Sequence, residues 1–243
     1  MLTTEILLII GLVVLITHAL EAVTGFGCTV LAFPFVIMLT DNLELSKILL
    51  SVLAWLLAVY FAVSKYKEIH WKQFGIIVVL AGAGMPVGVL LFKNTDPFLL
   101  TGVLGVFIVL TAAFQLYRCF VPTEERRMPR FLFLPAGGIV HGAFAAGGPL
   151  IVLYASRKIP GKGQFRATMC LLWASLNTFL IVQYLTDGKL NRETGMDIVF
   201  LLPFLMGGIV VGEIIHKKVS EILFRKIIFI SLFIIGIIMT FKN

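Results

Sequence analysis

Long stretches without any Asp, Glu, Lys or Arg dominate this sequence. A helix of about 20 apolar residues crosses the roughly 30 Å hydrocarbon core of a bilayer. With 59% hydrophobic and 14% charged residues, the chain is too apolar for an ordinary water-soluble domain. It is therefore predicted to be an all-α polytopic membrane protein. Six apolar runs are long enough to span the membrane: 22–40, 48–64, 73–92, 97–117, 131–156 and 167–186. Two shorter runs, 198–212 and 227–241, would need flanking residues to span it.

Two of the apolar runs are broken at matching places, 120 residues apart, by Gly25-Phe26-Gly27 and by Ala145-Ala146-Gly147 with the following Gly148-Pro149. A second correspondence links Pro86-Val87-Gly88 with Val210-Val211-Gly212. We therefore expect two homologous repeats, each made of a Gly-broken helical segment and three transmembrane helices. The expected boundaries are 1–120 for the first repeat, 121–130 for a linker loop and 131–243 for the second repeat.

The basic residues indicate how the second broken segment meets the membrane. If 131–156 crosses, the 20 Lys and Arg residues divide into ten and ten, but if it turns back they divide into 15 and 5. Cytoplasmic loops carry the excess of basic residues, so a re-entrant segment is predicted. The first broken segment, 6–39, is too long for one straight span and is assigned the same shape by analogy. The two repeats would then be inverted, with the hairpin tips near the midplane.

Paired helix breaks inside apolar runs point to the binding site of a transporter. The half-helices that begin near Cys28 and Pro149 would present free N–H groups, which attract anions. Alternatively, the glycines only allow close helix packing, and Arg166 only reaches towards lipid headgroups. The predicted substrate-binding residues are Thr24, Gly25, Phe26, Gly27, Cys28, Thr29, Ala146, Gly147, Gly148, Pro149, Tyr154, Arg166 and Asn177.

Ionisable side chains at membrane depth are costly and usually functional. Glu21 is the only acidic residue between Glu5 and Asp41, and His18 lies one helical turn before it. His141 matches Glu21 under the 120-residue offset. Glu21, His18 and His141 are therefore predicted to couple protons to transport. The alternative is a neutral, hydrogen-bonded Glu21 with histidines held by backbone carbonyls.

Other functions find little support in the sequence. The three cysteines, Cys28, Cys119 and Cys170, are widely spaced and predict neither a disulfide framework nor a zinc site. No hydrolase or nucleotide-binding motif is present, so we expect no enzyme activity, no metal and no cofactor. The net charge of +7 lies mostly in loops and does not predict nucleic-acid binding. The expected partners are a small anion, lipid and a coupling ion, with a homo-oligomer left open.

The two broken segments resemble the signatures of the TauE/SafE sulfite exporter family, also called the toluene sulfonate uptake permease family. The resemblance rests on Thr24-Gly25-Phe26-Gly27 with Pro34, on Gly142-Ala143-Phe144-Ala145-Ala146-Gly147-Gly148-Pro149 with Tyr154, and on Phe165-Arg166-Ala167-Thr168 with Asn177. It covers nearly the whole chain. Cys28 and Thr29 depart from the pattern, since many members carry glycines or apolar residues there.

The resemblance implies a multi-pass permease in the inner (plasma) membrane of a bacterium or archaeon. It also implies that the substrate is a sulfur-containing or organic anion such as sulfite, a sulfonate or sulfoacetate, that transport is usually outward, and that the two Gly-rich segments line the path. Together with the residue argument, it predicts a secondary transporter that works by alternating access. A passive anion channel, a membrane-embedded enzyme and an assembly scaffold are the competing classes.

Overall fold

The structure is a computed structural model, which describes residues 2–96, 130–159 and 161–216 together with isolated positions between 99 and 113. Apart from those isolated positions and Arg130, the described residues do not include the predicted spans 97–117 and 227–241, the predicted linker or Cys119. Within the continuous described ranges the chain forms helices only. These are α1 Thr4–Thr24, α2 Cys28–Thr40, α3 Leu43–Ser64, α4 Trp71–Asn94, α5 Phe133–Phe144, α6 Gly148–Lys158, α7 Lys162–Thr186 and α8 Arg192–His216.

Five of the described helices, α1, α3, α4, α7 and α8, are long and apolar enough to cross a membrane by length and composition. The short apolar run 198–212 is extended by flanking residues to the 25 residues of α8, as the sequence predicted. These findings confirm an all-helical, polytopic membrane protein.

Both helix breaks fall where the sequence places them, and the helix before each break ends in the same way. α1 ends at Gly25, whose φ is 83°, and its N–H donates to Glu21 O. α5 ends at Ala145, whose φ is 53°, and its N–H donates to His141 O. Left-handed residues of this kind end helices because they turn the chain away from the helix axis. The two caps are 120 residues apart, the offset seen in the sequence.

After each break the chain folds back on itself. The side chain of Ile151 on α6 lies against Gly137 on α5, although an unbroken helix would hold residues 14 positions apart at about 21 Å. α2 likewise packs against α1. Each broken segment is therefore a helical hairpin. The first helices of the two hairpins differ in length, because α1 has 21 residues whereas α5 has 12. The residues that correspond to the first turns of α1 precede Arg130 and lie outside the described residues.

Each hairpin packs on a helix from the other predicted repeat. α5 runs along α4, where Gly84 and Gly88 lie against the backbone of Pro135 and Ile139. The residue numbers of α4 and α5 increase in the same direction along the contact, so the two helices are parallel. α1 runs along α8 with a matching pattern, in which Gly208 and Gly212 meet the carbonyls of Leu15 and Ala19. The two predicted repeats are thus in contact through equivalent glycine-mediated helix pairs.

The antiparallel helices α3 and α7 pack together at the centre, and buried side chains such as Phe33, Leu53 and Phe61 form the adjoining core. The loops define two ends of the helical assembly. At face 1, the short 3₁₀ turn Tyr66–Glu68 lies against Gly163. At face 2, Lys189 pairs with Glu44 at 3.0 Å and Lys93 pairs with Asp187 at 2.6 Å. Hydrogen bonding to Lys93 lowers the pKa of Asp187 below its ordinary value.

Candidate functional site

The two helix breaks, at Gly25–Gly27 and Ala145–Gly147, meet at a small cavity between the hairpins and the central helices. Its volume is about 20 Å³, which is room for roughly one water molecule. Both breaks, the start of α2 and the middle of α3 and α7 contribute to its wall. The lining residues are Glu21, Gly27, Thr29, Val30, Ala54, His141, Ala145, Ala146, Gly148, Trp173 and Asn177. An anion of several heavy atoms does not fit this volume unless the surrounding helices move, and we refer to this arrangement as the closed form.

Glu21 holds the start of α2. The N–H of Cys28, the first residue of α2, donates to Glu21 Oε2 at 2.8 Å. Gly27 precedes it and has no side chain to serve as a cap, so the carboxylate satisfies an amide that the helix leaves unpaired. A negative charge at a helix N-terminus is also favoured by the helix dipole. The sequence predicted free amides for a substrate here, but in the closed form one of them is already bound to a carboxylate of the chain.

His141 occupies the position equivalent to Glu21 but has other partners. Its Nε2 lies 3.2 Å from Asn177 Oδ1, and its ring stacks on Trp173 with centres 5.6 Å apart. His141 is 2% exposed, and its Nδ1 has no hydrogen-bond partner. The resulting group of imidazole, amide and indole fixes one wall of the cavity.

The start of α6 differs from the start of α2. In the part of the chain that the structure describes, no side chain caps the first amides of α6, which begins at Gly148 with Pro149 as its second residue. Proline lacks an N–H, so the unpaired donors of this turn are backbone amides around it. The cavity therefore has one helix N-terminus that carries a carboxylate and one that does not.

Seven of the predicted site residues line the cavity, namely Glu21, Gly27, Thr29, His141, Ala146, Gly148 and Asn177. Five more, Gly25, Phe26, Cys28, Gly147 and Pro149, lie in the same turns or beside them without contributing to the wall. The structure therefore brings both glycine-rich breaks together, although whether these residues bind substrate stays a prediction.

The other four predicted residues do not line the cavity. The hydroxyl of Thr24 lies 2.9 Å from Leu20 O within α1 and 2.9 Å from Phe26 O in the first break. The hydroxyl of Tyr154 donates to Gln73 Oε1 at 3.2 Å, away from the cavity wall.

His18 faces α8 rather than the cavity. Its Nδ1 donates to Val14 O at 2.9 Å, and its Cβ lies beside Gly208. Arg166 Nη1 donates to Ala22 O at 2.9 Å, so this arginine turns inward instead of reaching for lipid headgroups.

Sequence reasoning missed four lining residues: Val30, Ala54, Ala145 and Trp173. Ala145 adjoins the predicted segment, and only the pairing of α3 with α7 brings Ala54 and Trp173 to the cavity. Trp173 also ties the turns to α7, because its Nε1 donates to Gly25 O at 2.9 Å. Lys47 was missed as well, since it was counted with the loop charges although it is 2% exposed.

The wall of the cavity combines hydrogen-bond donors with the carboxyl group of Glu21. It offers backbone amides, an amide side chain, an imidazole and the Thr29 hydroxyl, all donors to oxyanions. Among the described residues no group of three His, Cys, Asp or Glu side chains could hold a metal ion.

These features define a class: a multi-pass helical membrane protein whose two broken-helix hairpins meet at a cavity lined by both polar and apolar residues. Comparison with known families agrees, since the model of the family described as "Sulfite exporter TauE/SafE" matches residues 9–239. The chain belongs to this family, which confirms the resemblance seen in the sequence. No functionally curated protein matches the chain. No solved structure matches it either.

Proposed function

We propose that this protein is a secondary transporter that exports small sulfur-containing or organic anions, such as sulfite, sulfonates or sulfoacetate, from a bacterial or archaeal cell across its plasma membrane. The observation that supports the proposal is that both helix breaks meet at one cavity, whose wall includes the polar side chains of Thr29, His141 and Asn177. Two helix N-termini approach this cavity, and helix N-termini attract anions. The family described as sulfite exporters supports a sulfur-containing substrate and outward transport, and the cavity is the proposed site of the anion.

The closed cavity favours alternating access over an open pore. About 20 Å³ cannot hold an anion and its hydration shell, so passage requires a change of packing around the breaks. The interlocked contacts of α1 with α8 and of α5 with α4 give two equivalent units that can rock against each other. Inverted repeats with a site at their interface use this kind of motion, and a substrate that binds the open forms better shifts their populations.

Glu21 offers a route to proton coupling. Its carboxylate occupies the amide of Cys28, the kind of donor that an oxyanion substrate would use. Protonation removes the charge that competes for this amide, so the anion gains a donor when Glu21 binds a proton. At the other break, protonation of His141 at Nδ1 would add a second N–H donor. The substrate and the proton are then linked through the same groups.

The test is flux of ³⁵S-labelled sulfite in proteoliposomes, with and without a proton gradient, for wild type, Glu21→Gln and Glu5→Gln. Gln keeps an acceptor for the Cys28 amide but cannot titrate, and Glu5 is an exposed acid on the same helix. We expect Glu21→Gln to lose gradient-driven flux while it retains sulfite exchange at equal concentrations. Glu5→Gln should match wild type.

Each alternative has its own outcome. Flux that ignores the gradient and is unchanged in Glu21→Gln would indicate a passive channel. Chemical conversion of sulfite in detergent, without compartments, would indicate an enzyme. If wild type moves neither sulfite nor a simple sulfonate, the proposed substrate class is wrong.

A further inference from the structure

Among the described residues, one lysine and one arginine are buried in the membrane-spanning part of the fold. Lys47 on α3 is 2% exposed and Arg166 on α7 is 6% exposed. A buried cation is costly unless it is paired, and intramembrane cations usually mark an ion path. Within the described residues neither side chain has a carboxylate partner. Glu44, one turn before Lys47, is bound to Lys189 at the surface.

Lys47 instead caps a helix of the other predicted repeat. Its Nζ donates to Gly142 O, in the last turn of α5, at 2.7 Å. The ring of Phe92 covers the ammonium group, with the nitrogen 4.0 Å from the ring centre. A cation is favoured both at a helix C-terminus and over an aromatic ring, but neither partner neutralises its charge.

Arg166 has an equivalent environment. Its Nη1 donates to Ala22 O, in the last turn of α1, at 2.9 Å, and its guanidinium carbon lies 4.8 Å from the centre of the Phe61 ring. Ala22 and Gly142 are separated by the same 120 residues as the two breaks. Each cation therefore holds the end of the opposite hairpin, and the Nε of Arg166 is buried without a hydrogen-bond partner.

The two cations lie on opposite sides of the central cavity. Ala54 follows Lys47 by seven residues on α3, and Trp173 follows Arg166 by seven residues on α7, and both line the cavity. Seven helical residues correspond to about 10 Å. Because α3 and α7 are antiparallel, Lys47 is displaced from the cavity towards face 2 and Arg166 towards face 1.

An open pocket at face 2 lies against the ring that covers Lys47. Its volume is about 800 Å³, and Phe92 is part of its wall. The charged groups of the wall are Asp41 and the two ion pairs Lys93–Asp187 and Lys189–Glu44. Lys47 lies beneath Phe92 and pairs with no carboxylate among the described residues.

We infer that Lys47 is an anion-receiving residue on the face 2 side of the path, with Arg166 as its counterpart on the face 1 side. In the closed form a backbone carbonyl of the opposite hairpin holds each cation. When one side opens, the cation exchanges that carbonyl for the oxyanion, since a charged acceptor binds an ammonium group more strongly than a neutral one. This inference rests on the proposed anion transport and assigns two residues to it.

The experiment measures the half-saturating sulfite concentration from each side of proteoliposomes of known orientation. The variants are Lys47→Met, Lys47→Arg, Arg166→Met and the exposed control Lys72→Met on face 1. We expect Lys47→Met to raise the half-saturating concentration at face 2 by about tenfold or more, the size expected for a lost charge-assisted contact. Arg166→Met should do so at face 1, while Lys47→Arg retains most of the affinity and Lys72→Met changes neither side.

If Lys47 has only a structural role as a helix cap, a different result is expected. Thermal unfolding in detergent distinguishes the two roles. If Lys47 only caps α5, Lys47→Met lowers the unfolding temperature without sulfite and leaves both half-saturating concentrations unchanged, which would overturn the inference. If Lys47 receives the anion, the variant loses the stabilisation that sulfite gives to wild type. Should Lys47→Met not accumulate as a folded protein, Lys47→Gln is measured in the same way. Absence of sulfite transport in wild type would instead count against the proposed function.

Discussion

At the scale of single residues, the turn between α1 and α2 depends on Gly25. Its φ is 83°, and a Cβ there would lie 2.9 Å from the Cα of Arg166. Gly25→Ala therefore combines left-handed strain of about 1 kcal/mol with an overlap that typically costs a further 1 to 3 kcal/mol or so. We expect it to lower the unfolding temperature in detergent clearly more than Gly188→Ala. Gly188 also has a positive φ, of 66°, but has open space around it, so equal effects would contradict this account.

The residues of the site were predictable from the sequence where their partners are local. Glu21 and the amide that it binds are seven positions apart, and an isolated acid beside a helix break signals such a role. Lys47 and its partner Gly142 are 95 positions apart. A lysine five residues into a helix looks like an end-of-helix charge, and only the packing of α3 against the second hairpin buries it.

At the scale of helices, the parallel contact of α4 with α5 depends on the absence of a side chain at Gly88. A methyl group there would overlap the carbonyl oxygen of Ile139 and lie 2.8 Å from the amide nitrogen of Ala143. We expect Gly88→Ala to push the helices apart and to destabilise the fold by about 2 kcal/mol, as overpacking does. Thermal unfolding of the purified protein measures this. Gly82→Ala on the same helix meets open space and should be neutral or slightly stabilising. A similar loss of stability in both variants would show that the close contact at Gly88 is not the cause.

The limits of the helices follow from local signals, and their pairing does not. Asn42 before α3 and the glycines at the breaks mark helix ends because they satisfy or reverse the backbone there. Hydrophobicity, in contrast, is nearly uniform around these helices, as expected in lipid. It therefore does not indicate that α1 lies along α8 or that α5 lies along α4. Small residues four apart, such as Gly84 and Gly88, were the available signal for these contacts.

At the scale of the whole molecule, the hairpins enter the assembly from opposite faces. α5 is parallel to α4, which begins at face 1, and α6 returns to face 1, where the 3₁₀ turn Tyr66–Glu68 meets Gly163. Face 1 also carries Lys67, Lys72, Lys158 and Lys162, which are described members of the group of 15 basic residues that the count of 15 against 5 assigns to the cytoplasm. With that assignment, the second hairpin would be re-entrant from the cytoplasm and the connection between α7 and α8 would lie outside.

Cysteine labelling tests this orientation directly. Lys67→Cys and Lys158→Cys at face 1 should react with a membrane-impermeant maleimide only from the cytoplasmic side, and Lys189→Cys at face 2 only from the outside. All three positions are exposed, and a background without the native cysteines removes competing thiols. Replacing Lys189 breaks only a solvent-exposed ion pair, which contributes little to stability. Labelling of Lys67→Cys and Lys158→Cys from opposite sides would show that the second broken segment crosses the bilayer. The inverted arrangement, and with it a site shared between two opposed hairpin tips, would then have to be abandoned.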